Sequence, residues 1–178
     1  MPTVANPPAL VAQETGAWCF AAAEVMVRNY YNVAASTQYA IARRQALLLA
    51  ESDSNLEYRW VMAESSDMGA QRNEAGGTNL NSEIVQLVRA QRNVFNDGAT
   101  GGRIIPGNLT PQLVRDEIDA NRIFVIGTDI HYYVVYGYTT NGMVMNVRDP
   151  WPPNQGGMKT EIRLNDFLRS SETLVSFF

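Results

Sequence analysis

The 178-residue chain holds one cysteine, one histidine and one lysine. A single cysteine, Cys19, excludes an internal disulfide and a multi-cysteine zinc site. A single histidine, His131, argues against a histidine-based metal cluster. Lys159 is the lone lysine, and the other basic residues are all arginine. Basic residues are also outnumbered, 14 against 18 acidic, and the net charge of -4 argues against nonspecific nucleic-acid binding. No apolar run approaches the ~18 residues needed to span a bilayer. The N-terminal MPTVANPPALVAQ lacks the basic start and long apolar stretch of a secretory signal. The expectation is a protein that acts in the cytoplasm where it is made, leaves by a non-classical route, or has lost a leader. One free thiol does not decide the compartment.

What is present is ordinary globular material. Hydrophobic residues make up 46% and charged residues 18%, enough apolar surface for a core and too much for a disordered chain. The length suits a single domain, 1–178. Residues 1–15, with Pro2, Pro7 and Pro8, read as an extended lead-in. The run CFAAAEVMVRNYY is free of Gly and Pro and places Phe20, Ala23, Val27 and Tyr30/Tyr31 at helical spacing, which predicts a mostly buried helix over 19–31. Thr15 and Gly16 stand where it would begin. A second helix is expected over 37–50. A short helix near 56–63, a loop at 64–78, a helix capped by Asn79 or Asn81 and an exposed Gly-rich loop at 96–108 follow. Thr110-Pro111 signals another helix start, with its end near Asn121.

The character then changes. RIFVIGTD, HYYVVYGYT and GMVMNVRD are rich in β-branched and aromatic residues, and Asn141-Gly142 between the last two is a hairpin signal. A short helix at NDFLRS and a strand at SETLVSFF end the chain. Helices first and strands afterwards, without βαβ alternation, predict an α+β domain with an antiparallel sheet rather than a doubly wound nucleotide-binding fold. The sequence contains no Walker-type phosphate loop and no internal repeat.

Chemistry is concentrated at four residues. Cys19 opens the Ala-rich helix, where unpaired N–H groups and the helix dipole favour negative charge on sulfur, and a thiolate is the effective nucleophile. A small buried apolar side chain is the commoner role of a lone cysteine. His131 begins an apolar strand and is the residue type that activates a thiol; a strand-end polar residue without special role is the plainer alternative. Asp149 lies on the next strand. His131 is about ten residues before the Asn-Gly turn and Asp149 about seven after it, so they become neighbours if the loop or a bulge absorbs the offset. Asp149 could then fix the imidazole tautomer; Asp149-Pro150 also reads as a plain turn start. Gln13, six residues before Cys19, carries an amide able to donate to an oxyanion.

Together these residues resemble the papain-like cysteine peptidases, and most closely their compact bacterial branch of virulence-effector (toxin-like) and leader-processing peptidases. The resemblance spans roughly residues 10–152. It rests on Gln13, on Cys19 with its small neighbours, on Tyr30-Tyr31 closing the helix, and on Gln38 followed by Ile41-Ala42. HYYVVYGY and Asp149-Pro150-Trp151 complete it. In two respects the chain departs from the family. Trp18 precedes Cys19 and Phe20 follows it, whereas the family usually has Trp after the nucleophile. The third member is Asp149, where papain itself has Asn. The resemblance implies an N-terminal helical lobe packed on a C-terminal antiparallel β-sheet. It also implies hydrolysis of peptide bonds by Cys19, His131 and Asp149, with Gln13 in the oxyanion hole. It calls for a protein or peptide substrate and for no cofactor or metal. Acyl transfer by the same three residues, and a binding module that keeps the fold without activity, are the alternatives.

Overall fold

A run of small and apolar residues without Gly or Pro has little to oppose helix formation, and residues Cys19–Tyr30 form α1. The structure, a computed structural model, describes residues 1–16, 18–50, 103–104, 109–128, 131–169 and 174–177. The helix near 56–63, the loop at 64–78 and the helix after Asn79 lie outside the described residues. The N-cap of α1 is Trp18, without a side-chain cap bond, rather than Thr15 or Gly16. Phe20, Ala21, Ala22, Ala23, Met26 and Val27 are all fully buried, so nearly the whole circumference of the first turns is packed. Small alanines permit that close approach. Tyr30 and Tyr31 pin the far end of α1: their hydroxyls donate to the carbonyls of Asn121 (2.8 Å) and Ile123 (2.9 Å).

α2 (Gln38–Ala50) starts one residue after Thr37, whose hydroxyl accepts from the Ala40 N–H. α3 (Pro111–Asp119) has the expected cap, with the Thr110 side chain accepting from Leu113 N–H and Pro at the first position. The strands are β1 (Arg103–Ile104), β2 (Phe124–Gly127), β3 (Tyr132–Thr139), β4 (Val144–Arg148), β5 (Glu161–Arg163) and β6 (Leu174–Phe177), with a short α4 (Leu164–Leu168) before the last. They form one sheet in the order β1-β6-β2-β3-β4-β5, antiparallel at every pairing. The fold is therefore α+β, with N-terminal helices on an antiparallel sheet, and α1 packs across β3. One boundary differs from expectation. Arg103 and Ile104, inside the segment read as an exposed Gly-rich loop, pair with Phe177 and Ser176 at the sheet edge. The surrounding glycines hid a short β-forming step.

Strands β3 and β4 are joined through Thr140–Gly142, with Asn141 at φ 56° and Gly142 at φ 87°. Left-handed backbone of this kind is what the Asn-Gly pair supplies. Beyond the turn the register is regular from Thr139↔Val144 to Gly137↔Asn146, then shifts so that Val135 faces Val147. Tyr136 is the extra residue of a β-bulge, and a bulge is the device that re-aims a strand.

The N-terminal segment does more than lead in. Its Val4 N–H donates to the Tyr136 carbonyl and the Tyr138 N–H donates to the Pro2 carbonyl, both at 3.0 Å. It thereby occupies the sheet position beyond the start of β2 at Phe124, and Val4 is buried. Gly137 makes this docking possible. A Cβ there would stand 2.8 Å from Thr3 Cγ2 and 2.9 Å from the Pro2 carbonyl oxygen. Gly137→Ala should therefore displace residues 2–4 and lower stability by roughly 1–3 kcal/mol, the usual cost of overpacking. Urea unfolding checks this; an unchanged midpoint would mean the segment adds nothing.

Candidate active site

Each of the four sequence-selected residues is held by a different element. Cys19 is the first residue of α1, where the N–H groups have no intrahelical partner, and is nearly buried. His131 immediately precedes β3. Its backbone is fixed to Thr128 across the connection from β2: Thr128 N–H donates to the His131 carbonyl (2.8 Å), and His131 N–H donates to the Thr128 hydroxyl (3.1 Å). Asp149 follows β4 and is 2% exposed. The bulge at Tyr136 changes the register so that the β4 end lies beside the start of β3. As a result His131 Nε2 and Asp149 Oδ1 are 2.7 Å apart.

With Nε2 committed to Asp149, Nδ1 is the ring nitrogen left for sulfur. Burial is the largest single influence on the imidazole and acts to lower its pKa. The charge on Cys19, the hydrogen bonds to Asp149 and to Cys19, and the Asp149 charge together overcome it, raising the pKa from 6.5 to about 9. The imidazole thus interacts with both the sulfur and the carboxylate. Tyr133, two residues on and so on the same face of β3, sets its ring edge-to-face on the imidazole at 4.6 Å and 79°. The period-2 alternation HYY contained that signal, which the sequence reading did not use. Burial, first, and then the charges of Asp149 and Cys19 push the Tyr133 pKa up, so its ring stays neutral.

Asp149 has a second task. Its Oδ1 also accepts from Trp151 N–H (2.9 Å), its Oδ2 accepts from Lys159 N–H (3.0 Å), and its carbonyl accepts from Gly157 N–H (2.7 Å). The turn-forming and imidazole-orienting readings of this residue are therefore compatible, because one carboxylate bonds both the turn and the imidazole. The loop it organises receives Gln13: Gln13 N–H donates to the Pro150 carbonyl (3.0 Å) and Asn154 N–H donates to the Gln13 carbonyl (2.8 Å).

The Gln13 side chain is fully buried. Its Nε2 donates to the Thr15 carbonyl (2.6 Å), which also accepts from Trp18 N–H at 3.4 Å, so the amide is tied to the turn entering α1. One Nε2 hydrogen remains for another acceptor. Gln13 Oε1 has no hydrogen-bond partner among the described residues. Trp18 is buried and meets Tyr39 edge-on at 6.2 Å, while Tyr39 is 51% exposed. Among the described residues no group of three or more His, Cys, Asp or Glu could hold a metal ion.

Residues 8–175 match the Peptidase_C39-like family. The chain belongs to that cysteine-peptidase-like family, which implies a protein or peptide substrate. No curated protein and no solved structure matches it. Among the described residues no helix is long and apolar enough to cross a membrane.

The raised His131 pKa fixes a pH dependence. The folded chain holds this proton more tightly than the unfolded chain, so His131 contributes stability that is complete below about 6.5 and is lost as pH rises through about 9. NMR titration of the lone imidazole should give a midpoint near 9, and a lower one in Asp149→Asn and in Cys19→Ala, each of which removes a favourable charge. A wild-type midpoint at or below 6.5 would contradict the arrangement.

Proposed function

We propose that the protein is a papain-like cysteine peptidase in which Cys19 is the nucleophile, His131 the acid and base, and Asp149 the residue that orients the imidazole. The observation that carries this reading is the 2.7 Å contact of His131 Nε2 with Asp149 Oδ1, on an imidazole whose pKa is raised by Cys19 as well as by Asp149. An imidazole held between a sulfur and a buried carboxylate is the arrangement thiol activation needs.

The cycle follows from these positions. In the reacting form His131 carries the proton and the sulfur carries the negative charge. The sulfur attacks the substrate carbonyl carbon, and the carbonyl π pair moves to oxygen. The backbone N–H of Cys19 and the remaining N–H of Gln13 stabilise that oxyanion. Its collapse breaks the C–N bond, His131 gives its proton to the departing amine, and a thioester to Cys19 remains. Forming the thioester removes the sulfur's charge, one of the influences that raised the His131 pKa. The neutral imidazole is then suited to take a proton from water. Water adds to the thioester, the C–S bond breaks, and the carboxylic acid leaves while the sulfur–imidazolium pair is restored.

Two measurements test this. Cys19→Ala should abolish peptide hydrolysis while leaving the fold intact, since little volume is lost. Alkylation of Cys19 by iodoacetamide should remain fast in mildly acidic buffer for the wild type and slow markedly in His131→Ala. As the chain has no other Cys or His, neither residue type adds background. Wild-type turnover in Cys19→Ala, or identical alkylation profiles, would contradict the mechanism.

A further inference from the structure

Gln38 is the first residue of α2 and is buried, at 4% exposure. Its side-chain amide bonds one short stretch of backbone at both ends: Nε2 donates to the Ala12 carbonyl (2.7 Å) and Oε1 accepts from Glu14 N–H (2.9 Å). A primary amide presents a donor and an acceptor side by side, so it can pair with an extended backbone as a neighbouring strand would. The residue between the two gripped groups is Gln13. The N–H and carbonyl of Gln13 itself are bonded to the loop after Asp149. All four backbone groups from the Ala12 carbonyl to the Glu14 N–H are therefore committed, and α2 supplies one side of the clamp through Gln38.

The clamp has a rigid base. Glu24 on α1 is fully buried, with its carboxylate bonded to Arg44 of α2 (2.8 and 3.0 Å) and to Arg28 (2.7 Å). Ile41 and Ala42 add buried apolar contact from α2. Burial, partly offset by the two arginines, pushes the Glu24 pKa up. A buried carboxylate with two guanidinium partners is costly to break, so α2 is held in one position relative to the helix that starts at Cys19. Gln38 transmits that position to Gln13.

We infer that Gln38 is a positioning residue for the oxyanion hole: it holds the backbone on both sides of Gln13 so that the Gln13 amide stands in a fixed place relative to Cys19. The inference rests on the peptidase reading and extends it to a residue bonded to the backbone on either side of Gln13. Oxyanion stabilisation is sensitive to placement, and a displacement of about 1 Å can cost 10²-fold in rate. Gln38→Glu keeps the acceptor for Glu14 N–H and turns an acceptor toward the Ala12 carbonyl. Gln38→Met keeps the length and removes both bonds.

The test compares two reactions of the same sulfur. Peptide hydrolysis passes through a carbonyl oxyanion, whereas alkylation by iodoacetamide displaces iodide and forms none. In Gln38→Met, kcat for a peptide substrate should fall roughly tenfold to a hundredfold. KM should change little, and the alkylation rate of Cys19 should match wild type. Combining Gln38→Met with Gln13→Ala should reduce kcat no further than Gln13→Ala alone, since both act through one donor. If Gln38→Met does not fold, Gln38→Glu serves for the same comparison. Alkylation falling in parallel with kcat, additive losses in the double variant, or an unchanged kcat would each overturn the assignment while leaving the peptidase reading in place. Wild-type protein without turnover would overturn the peptidase reading, and the assignment with it.

Discussion

One carboxylate holds this site together. Asp149 meets the imidazole of His131 through Oδ1 and, with the same two oxygens, accepts the backbone N–H groups of Trp151 and Lys159. A buried carboxylate is stable as an anion only when such donors surround it. The loop those donors belong to binds the backbone of Gln13, and Gln13 in turn is tied to the turn that leads into α1 and Cys19. Removing the charge at Asp149 would therefore affect the imidazole contact, the loop structure and the turn leading to Cys19 together. The loop and the imidazole contact depend on the same atoms.

The sheet brings the carboxylate to the histidine by an irregularity. A regular hairpin from the Asn141-Gly142 turn would keep one register throughout, and the Tyr136 bulge moves it by one residue between Gly137 and Val135. The bulge also exposes backbone groups at Tyr136 and Tyr138 that the N-terminal segment satisfies. The feature that aligns His131 with Asp149 is thus covered by residues 2–4, and Gly137 allows the close approach.

Much of this was legible in the chain itself, for identifiable reasons. Cys19 and His131 stand out because each is the sole residue of its type, and α1 because thirteen residues without Gly or Pro leave few alternatives. The Thr110-Pro111 cap and the Asn-Gly hairpin are local chemistry and form as local rules predict. The His131–Asp149 offset was visible in the spacing, but the bulge that absorbs it depends on tertiary pairing and has no sequence mark at Tyr136. The N-terminal segment reads as a lead-in because prolines and isolated apolar residues carry no period; its value comes from a sheet position left open before β2 begins. Gln38 belongs to a recognisable pattern, yet its task depends on a contact with residues more than twenty positions away. β1 and β5 are two and three residues long, too short to show any alternation.

The central claim is that a covalent thioester forms on Cys19, with His131 supplying the proton chemistry. It is tested most directly by mixing the protein with a peptide active ester, quenching in acid within the first turnover and measuring the intact mass. The account predicts a mass increase equal to the acyl group, located on the peptide containing Cys19. It predicts none in Cys19→Ala, and a slower rise and decay of the adduct in His131→Ala. Enzymatic turnover of the ester without any adduct on Cys19, or an adduct that forms and decays at the same rates without His131, would contradict it.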